Sequence, residues 1–364
     1  MKRSKLLKCW AKLAFLFITV PTFSQLDETM VENAFATFID DQALESASIG
    51  LYIVNAQTRN KVFGFDETRT LVPASSQKMI TAVTALEMLT PEHTFTTSLS
   101  YRGIITDSVL YGDIVITGGG DPTLGSDRFG SSSKDLLAQW AKAIADVGIK
   151  SIFGQIIVDD TYLGGPCLAP TTAIADAGNY YAAGSGGIHY RDNYFELHFS
   201  SENKNGGETR ITRTVPADIG IEIVNQVTAS NINRDNAYLH SVPGTSKMVA
   251  HGTIPKAKAD FVIKGALHDP GYSLKVELQE ALEIENIAVK DARSAYEGAL
   301  TPIKIHSSSK VHEIVSVMLK RSDNSYADCL LKHIGKRYYD RATLGGGVDA
   351  LQHFWGQRGI PTSG

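Results

Sequence analysis

Cysteine is scarce in this 364-residue chain, with only Cys9, Cys167 and Cys329. None of them sits in a metal-ligand spacing, so a zinc ribbon or finger is excluded. The ten histidines contain no His-Glu-x-x-His, which removes the commonest zinc-peptidase pattern and leaves no metal to expect. No run is apolar over the roughly 20 residues needed to cross a bilayer. There is no low-complexity tract, no internal repeat and no excess of basic residues. Without that excess, nucleic acid is a poor candidate for a partner.

The first 24 residues stand apart. Lys2, Arg3, Lys5, Lys8 and Lys12 are followed by an apolar run, Leu13 to Val20, and then by Pro21-Thr22-Phe23-Ser24. Basic, then apolar, then small is the order of a secretory signal peptide, with cleavage expected after Ser24. A membrane anchor is the other reading of the same run. Loss of the five basic residues takes the formal net charge from −4 to −9. The mature chain is then expected outside the cytoplasm, periplasmic or secreted, with peripheral membrane association left open. Cys9 leaves with the signal. Cys167 and Cys329 read as two unpaired buried thiols, with pairing in an oxidising compartment as the alternative.

Periodicity divides the rest. Residues 26–43 read as a helix, Ser48–Val54 and Lys61–Phe65 as a hairpin, and Ser75–Leu89 as a helix with so little polar face that burial on nearly all sides is expected. From 95 to 268 short alternating strands and glycine-rich turns surround one amphipathic helix, Lys134–Val147. Helices return at Tyr272–Glu285, Val311–Leu319, Asn324–Ile334 and Val348–Trp355. The predicted organisation is a domain in two parts, 25–94 and 269–364, interrupted by a β-rich insert of one or two nested domains.

Chemistry points first to Ser75-Ser76-Gln77-Lys78. Serine and lysine three residues apart on a helix share one face, within hydrogen-bond reach. Serine needs a neighbouring base, and a lysine desolvated by an apolar helix can be that base. Ser-x-x-Lys occurs four times, at Ser75, Ser131, Ser201 and Ser307. Ser131 lies in a Gly/Ser loop where Ser133 reads as a helix cap, Ser201 lies in a polar loop, and Ser307–Ser309 look like a helix start. Only Ser75 opens an apolar helix directly after a hairpin. Ser322-Asp323-Asn324 is a second candidate. Alone it reads as an N-cap, but with Ser75 and Lys78 it makes two-thirds of the penicillin-binding-protein and class A β-lactamase signature.

Ser75 and Ser322 are 247 residues apart, which leaves room for the insert. Together with Pro73–Lys78, Gly112–Leu124, Gly154–Asp160 and His268-Asp269-Pro270, this makes the chain resemble the class C low-molecular-mass penicillin-binding proteins, peptidase family S13. The resemblance implies an α+β fold, a penicillin-binding-protein-like transpeptidase domain with an antiparallel sheet flanked by helices and a large β-rich insert. It implies a serine D-alanyl-D-alanine carboxypeptidase or endopeptidase that acts on peptidoglycan stem peptides, is acylated by β-lactams and needs no cofactor. Ser75 would be the nucleophile, Lys78 the general base, Ser322 a proton relay, and Asn324 a ligand of the substrate amide. Asp160, ending a strand of the insert, is a further candidate for the cleft, where an acid would pair with a free amine of the stem peptide. Gly118-Gly119-Gly120-Asp121-Pro122 reads as a tight turn, because the dinucleotide spacing and a following helix are both absent.

The third motif of the signature does not occur: the sequence has no Lys-Thr-Gly, Lys-Ser-Gly or His-Thr-Gly. The expectation is a truncated chain lacking the C-terminal part of the sheet, with low activity by itself. A non-catalytic module binding penicillin or cell-wall peptide is the alternative from another class, followed by a β-lactamase.

Overall fold

The computed structural model describes residues 28–164, 168–293, 296 and 298–362. The expected signal segment and Cys167 therefore lie outside the described residues. Residues up to Ala74 form one compact unit and Ser75 onward a second. The first holds α1 (Glu28–Ile39), β1 (Leu51–Val54) and β2 (Lys61–Phe65). Both strands match the expected hairpin and pair antiparallel as a two-stranded sheet. Phe35 of α1 lies 5.4 and 4.8 Å from the Phe63 and Phe65 rings, which gives this unit its small core.

The second unit has three apolar cores. It begins with a 3-10 turn, Ser75–Gln77, that continues into α2 (Lys78–Met88). Then come β3 (Thr96–Thr106), β4 (Val109–Thr117), α3 (Ser133–Asp146), β5 (Ser151–Phe153) and β6 (Ile156–Asp159). β7 (Tyr194–Ser201), β8 (Thr209–Val215), β9 (Glu222–Ser230), β10 (Asn236–His240), β11 (Lys247–Pro255) and β12 (Phe261–Ala266) follow. The chain closes with α4 (Pro270–Ile284), β13 (Ala288–Lys290), β14 (Thr301–Ser307), α5 (Val311–Arg321), α6 (Asn324–Tyr339) and α7 (Leu344–Gly356).

One core lies under a six-stranded sheet of order β13-β5-β4-β3-β14, with β6 also pairing β4. β3 and β4 form a long hairpin whose turn residues, Asp107 and Ser108, both have positive φ (50° and 64°), as a twist-matched two-residue turn requires. Trp140 of α3 and Leu274, Leu278 and Leu282 of α4 are buried in this core. The predicted domain boundary at residue 268 is thereby corrected. The apolar stripe of α4 packs in the insert's core, and β14 pairs with β3, so the insert runs to Ser307. A second core joins the sheets β10-β11-β9 and β12-β7-β8 through Phe195, Leu197, Phe199, Leu239 and Met248. The insert thus carries two separate apolar cores.

The third core is helical and places the chemistry. Ala82 and Ala85 of α2 meet Ile314 and Met318 of α5, Tyr326, Leu330 and Ile334 of α6, and Ala350 of α7. α6 and α7 approach backbone to backbone: a Cβ on Gly347 would stand 2.2 Å from the Leu331 carbonyl oxygen. The Trp355 indole donates to Thr84 Oγ1 at 2.9 Å and ties α7 to α2. Burial of α2 on nearly all sides is not observed. Thr81, Ala82, Thr84 and Ala85 are buried, but Met79, Ile80 and Val83 are 53, 45 and 39% exposed. Its apolar positions exceed what one helical layer covers. Two smaller expectations also shift. The N-cap of α3 is Ser132, in a capping box with Asp135, and Ser307 ends β14 rather than starting a helix.

Among the described residues no helix is long and apolar enough to cross a membrane. Cys329 is buried with a free thiol, which desolvation pushes well above its usual pKa.

Candidate active site

The 3-10 turn that opens α2 puts Ser75 one turn ahead of Lys78, so the i, i+3 spacing brings Oγ and Nζ to 3.0 Å. Ser75 stands ahead of the first intrahelical acceptors, and its N–H belongs to the group of donors a helix start leaves free. From the other side, the linker between α5 and α6 contributes two more oxygens. Lys78 Nζ donates to Asn324 Oδ1 at 2.6 Å and lies 3.5 Å from Ser322 Oγ. One nitrogen therefore meets Ser75, Ser322 and Asn324, residues that are 247 and 249 positions apart in sequence.

Local sequence makes this linker short and rigid. Ser322 is a left-handed C-cap (φ 56°) whose N–H returns to the Met318 carbonyl. Such a conformation in a residue with a Cβ costs on the order of 1–2 kcal/mol and persists where surroundings over-determine it. Asp323 supplies that constraint. Its Oδ1 accepts from Tyr326 N–H (3.2 Å) and Ser325 Oγ (2.8 Å), which caps α6. Its Oδ2 accepts from Arg128 Nη1 at 2.7 Å. Arg128, from the insert, also pairs with Asp192 at 3.2 Å, and Asp192 accepts from the Tyr326 hydroxyl at 2.6 Å. The side chains of Arg128, Asp323 and Asp192 are 16, 15 and 5% exposed, so two carboxylates share one guanidinium mostly out of water.

Burial lowers the pKa of Lys78, while the negative charges of Asp323 and Asp328 oppose that shift. Arg128 on Asp323 limits the opposition. Asp328 is itself pushed up by burial to about 6.

A cleft of about 640 Å³ opens on this cluster. Ser75, Ser322 and Asn324 line one wall, and Tyr181, Asp235 and Lys264 of the insert line the other. The Tyr181 carbonyl accepts from Asn324 Nδ2 at 2.6 Å, so the insert holds the amide whose oxygen faces Lys78. Lys264 Nζ sits 4.1 Å from the Tyr194 ring centroid and donates to a tyrosine hydroxyl, that of Tyr194, at 2.9 Å.

Of the residues singled out in the sequence, the structure brings Ser75, Lys78, Ser322 and Asn324 together. It does not bring Asp160, which is absent from the cleft lining. Its carboxylate accepts from the Ile188 N–H and packs against Gly186 and Gly187, in the turn-stabilising role of an acid after a strand. The Gly118–Pro122 run, expected as a tight turn, instead prolongs β4 as irregular backbone: Gly118 and Gly120 donate to the Asp159 and Gly187 carbonyls, and the turn follows at residues 122–125. Its glycines answer to close approach, since a Cβ on Gly119 would meet the Thr96 carbonyl at 1.9 Å. Asp121 in that run is wholly buried, and desolvation raises its pKa to about 7. Arg128, Asp192, Tyr181 and Lys264 escaped the sequence reading, since each reaches the site from a different loop or strand of the insert. The only local hint was the aromatic pair Tyr180-Tyr181 between polar turns. Among the described residues no group of three or more His, Cys, Asp or Glu side chains could hold a metal ion.

Comparison with known proteins adds the family. The family model described as D-Ala-D-Ala carboxypeptidase 3 (S13) matches residues 31–364. A D-alanyl-D-alanine carboxypeptidase of Actinomadura sp. (strain R39) is 25% identical over 345 residues, which is 90% of this chain and 61% of that protein. The D-alanyl-D-alanine carboxypeptidase DacB of Haemophilus influenzae is 24% identical over 350 residues, 94% of this chain and 69% of its own length. The crystal structure of penicillin binding protein 4 (dacB) from Haemophilus influenzae superposes with a TM-score of 0.69 at 22% identity, covering 86% of this chain and 68% of that one. Its complex with a novel β-lactam gives 0.65, also at 22% identity, over 88% and 68%. These likenesses fix the fold as that of the penicillin-binding proteins. The chain spans less than two-thirds of the Actinomadura relative.

Proposed function

The chain belongs to the D-Ala-D-Ala carboxypeptidase 3 (S13) family, and on that premise we propose that it is built as a serine D,D-peptidase acting on peptidoglycan stem peptides. The observation that carries the reading is the single Lys78 nitrogen in contact with Ser75 Oγ, Ser322 Oγ and Asn324 Oδ1. Ser75 Oγ attacks the carbonyl between the two terminal D-alanines while its proton passes to Lys78 Nζ. The tetrahedral oxyanion takes the Ser75 N–H as one donor. Lys78 returns the proton through Ser322 to the departing amine, so that D-alanine leaves neutral and an ester on Ser75 remains. Water then attacks the ester, giving the shortened peptide as an acid and restoring the serine hydroxyl. Cleavage of a cross-bridge follows the same steps with a different amine. A β-lactam enters by the same attack, and its amide nitrogen stays tethered after the ring opens.

Desolvation of Lys78 favours the neutral amine that this first step requires. The Tyr181 carbonyl orients Asn324 so that its amide meets the substrate's peptide group. No Lys-Thr-Gly occurs in the 364 residues, so they lack the cation and second oxyanion donor this motif provides. Slow turnover by these residues alone follows from that lack. The same lack favours the second reading, a module that binds cell-wall peptide without cleaving it. D-alanine release from a peptide ending in D-Ala-D-Ala separates the two. Release above a Ser75→Ala control supports a peptidase, and saturable binding with no release supports the module. Residues 1–24 act in this proposal as a secretory signal, and the N-terminal residue of the exported protein tests it.

A further inference from the structure

The strand pair β10–β11 carries two histidines in direct contact. His240 stands opposite Val249, and His251 opposite Tyr238, so the two rings are diagonal neighbours on one face of the sheet. Cross-strand diagonals lie within reach of long and aromatic side chains. The rings are stacked, their planes inclined by 15° and their centroids 4.3 Å apart, and the two Nε2 atoms are in contact. Both rings are half-buried, and Tyr238 packs on His251 at 6.0 Å between centroids.

Two Nε2 lone pairs brought this near each other repel unless something lies between them. A proton serves when one ring is the Nε2–H tautomer. A cation serves when both rings carry their protons on Nδ1, and the pair is then a two-nitrogen chelate on a rigid antiparallel ladder.

We propose that His240 and His251 form a binding site for a divalent transition cation of the copper, nickel or zinc class, apart from the catalytic cluster. Imidazole nitrogen suits these metals, with copper bound most tightly. Metal–nitrogen bonds of 2.0–2.1 Å at a tetrahedral angle place two ligands roughly 3.3 Å apart. Side-chain rotation must open the pair to that spacing. Water completes the coordination, since no third His, Cys, Asp or Glu joins the pair among the described residues.

The test uses the full chain without an affinity tag, titrated with Cu²⁺ and read by electron paramagnetic resonance. One equivalent bound through two nitrogens is expected, with affinity at least tenfold weaker in His240→Gln and in His251→Gln. Equal affinity and an unchanged nitrogen pattern in the double variant would overturn the site, as would no binding by the unaltered chain. A second measurement needs no variant. Zn²⁺ should protect His240 and His251 from carbethoxylation by diethyl pyrocarbonate, mapped by mass spectrometry, while His312 stays reactive. Equal modification of the pair with and without Zn²⁺ would contradict the proposal.

Discussion

Replacing Arg128 with Met keeps much of its volume but strands two carboxylates. Arg128 lies 2.7 Å from Asp323 and 3.2 Å from Asp192, all three side chains largely buried. At an effective dielectric of about 20, each contact is a Coulomb attraction of roughly 4 kcal/mol, and much of it only offsets desolvation. Removing one partner leaves the others charged and unpaired, which costs about 3–5 kcal/mol in buried networks. That is the expected loss in urea unfolding followed by far-UV circular dichroism. Arg128→Met with Asp192→Asn should be less destabilised than the two single losses added together, with a coupling of about 1–3 kcal/mol. A second readout separates positioning from stability. With Arg128 gone, Asp323 pulls harder on Lys78 and raises its pKa, so acylation, which needs the free amine, rises only at higher pH. Arg128→Lys keeps the charge and should hold the pH limb closer to that of the unaltered chain. A loss below about 1 kcal/mol with an unmoved pH limb would refute the reasoning, because it would mean that water already screens these charges.

Asp121→Asn tests the buried acid of the glycine run. Its folded pKa of about 7 lies above the ordinary 3.8, so the folded chain holds a proton there that the unfolded chain has lost. Its stabilising contribution is full below pH 3.8 and fades as pH rises towards 7, a loss of roughly 4 kcal/mol at most. The variant should therefore gain on the unaltered chain between pH 4 and 7.5 in melting experiments, and a constant difference across that range would contradict the assignment. His333, with its pKa lowered to about 4 by burial, is unaltered in both chains and drops out of the comparison. Gly347→Ala should destabilise the helical core by about 1–3 kcal/mol or more, because the new methyl would stand 2.2 Å from the Leu331 carbonyl oxygen and α6 and α7 must part. A melting midpoint unchanged by that substitution would show that the two helices are not closely packed there.

The elements of the candidate site were legible because each is written in a local pattern. Ser75 and Lys78 are separated by one helical turn, and Ser322-Asp323 join two helices, the second opening at Asn324. The hairpin before them and the helix at Lys134 were legible for the same reason, two short apolar runs about a polar turn in one and a wide apolar stripe in the other. The end of the insert was misplaced because α4 looks like the helices of the catalytic core. Only its contact with Trp140 reveals which core its leucines fill. β14 was missed since Thr301–Ser307 has few apolar residues and gains its place by pairing with β3. Asp160 followed a strand, and nothing local distinguishes an acid that braces a turn from one that faces a ligand. Arg128 and Tyr181 could not be found by pattern, as each meets Asp323 or Asn324 across more than 140 residues of chain.

The central claim is that Ser75 is an acylating serine activated by Lys78. The most direct test is incubation of residues 25–364 with a fluorescent penicillin, followed by peptide mapping in a mass spectrometer. The account predicts a single adduct on the peptide holding Ser75, absent in Ser75→Ala and strongly slowed in Lys78→Met. An adduct on another residue, or one that forms equally fast in both variants, would contradict it.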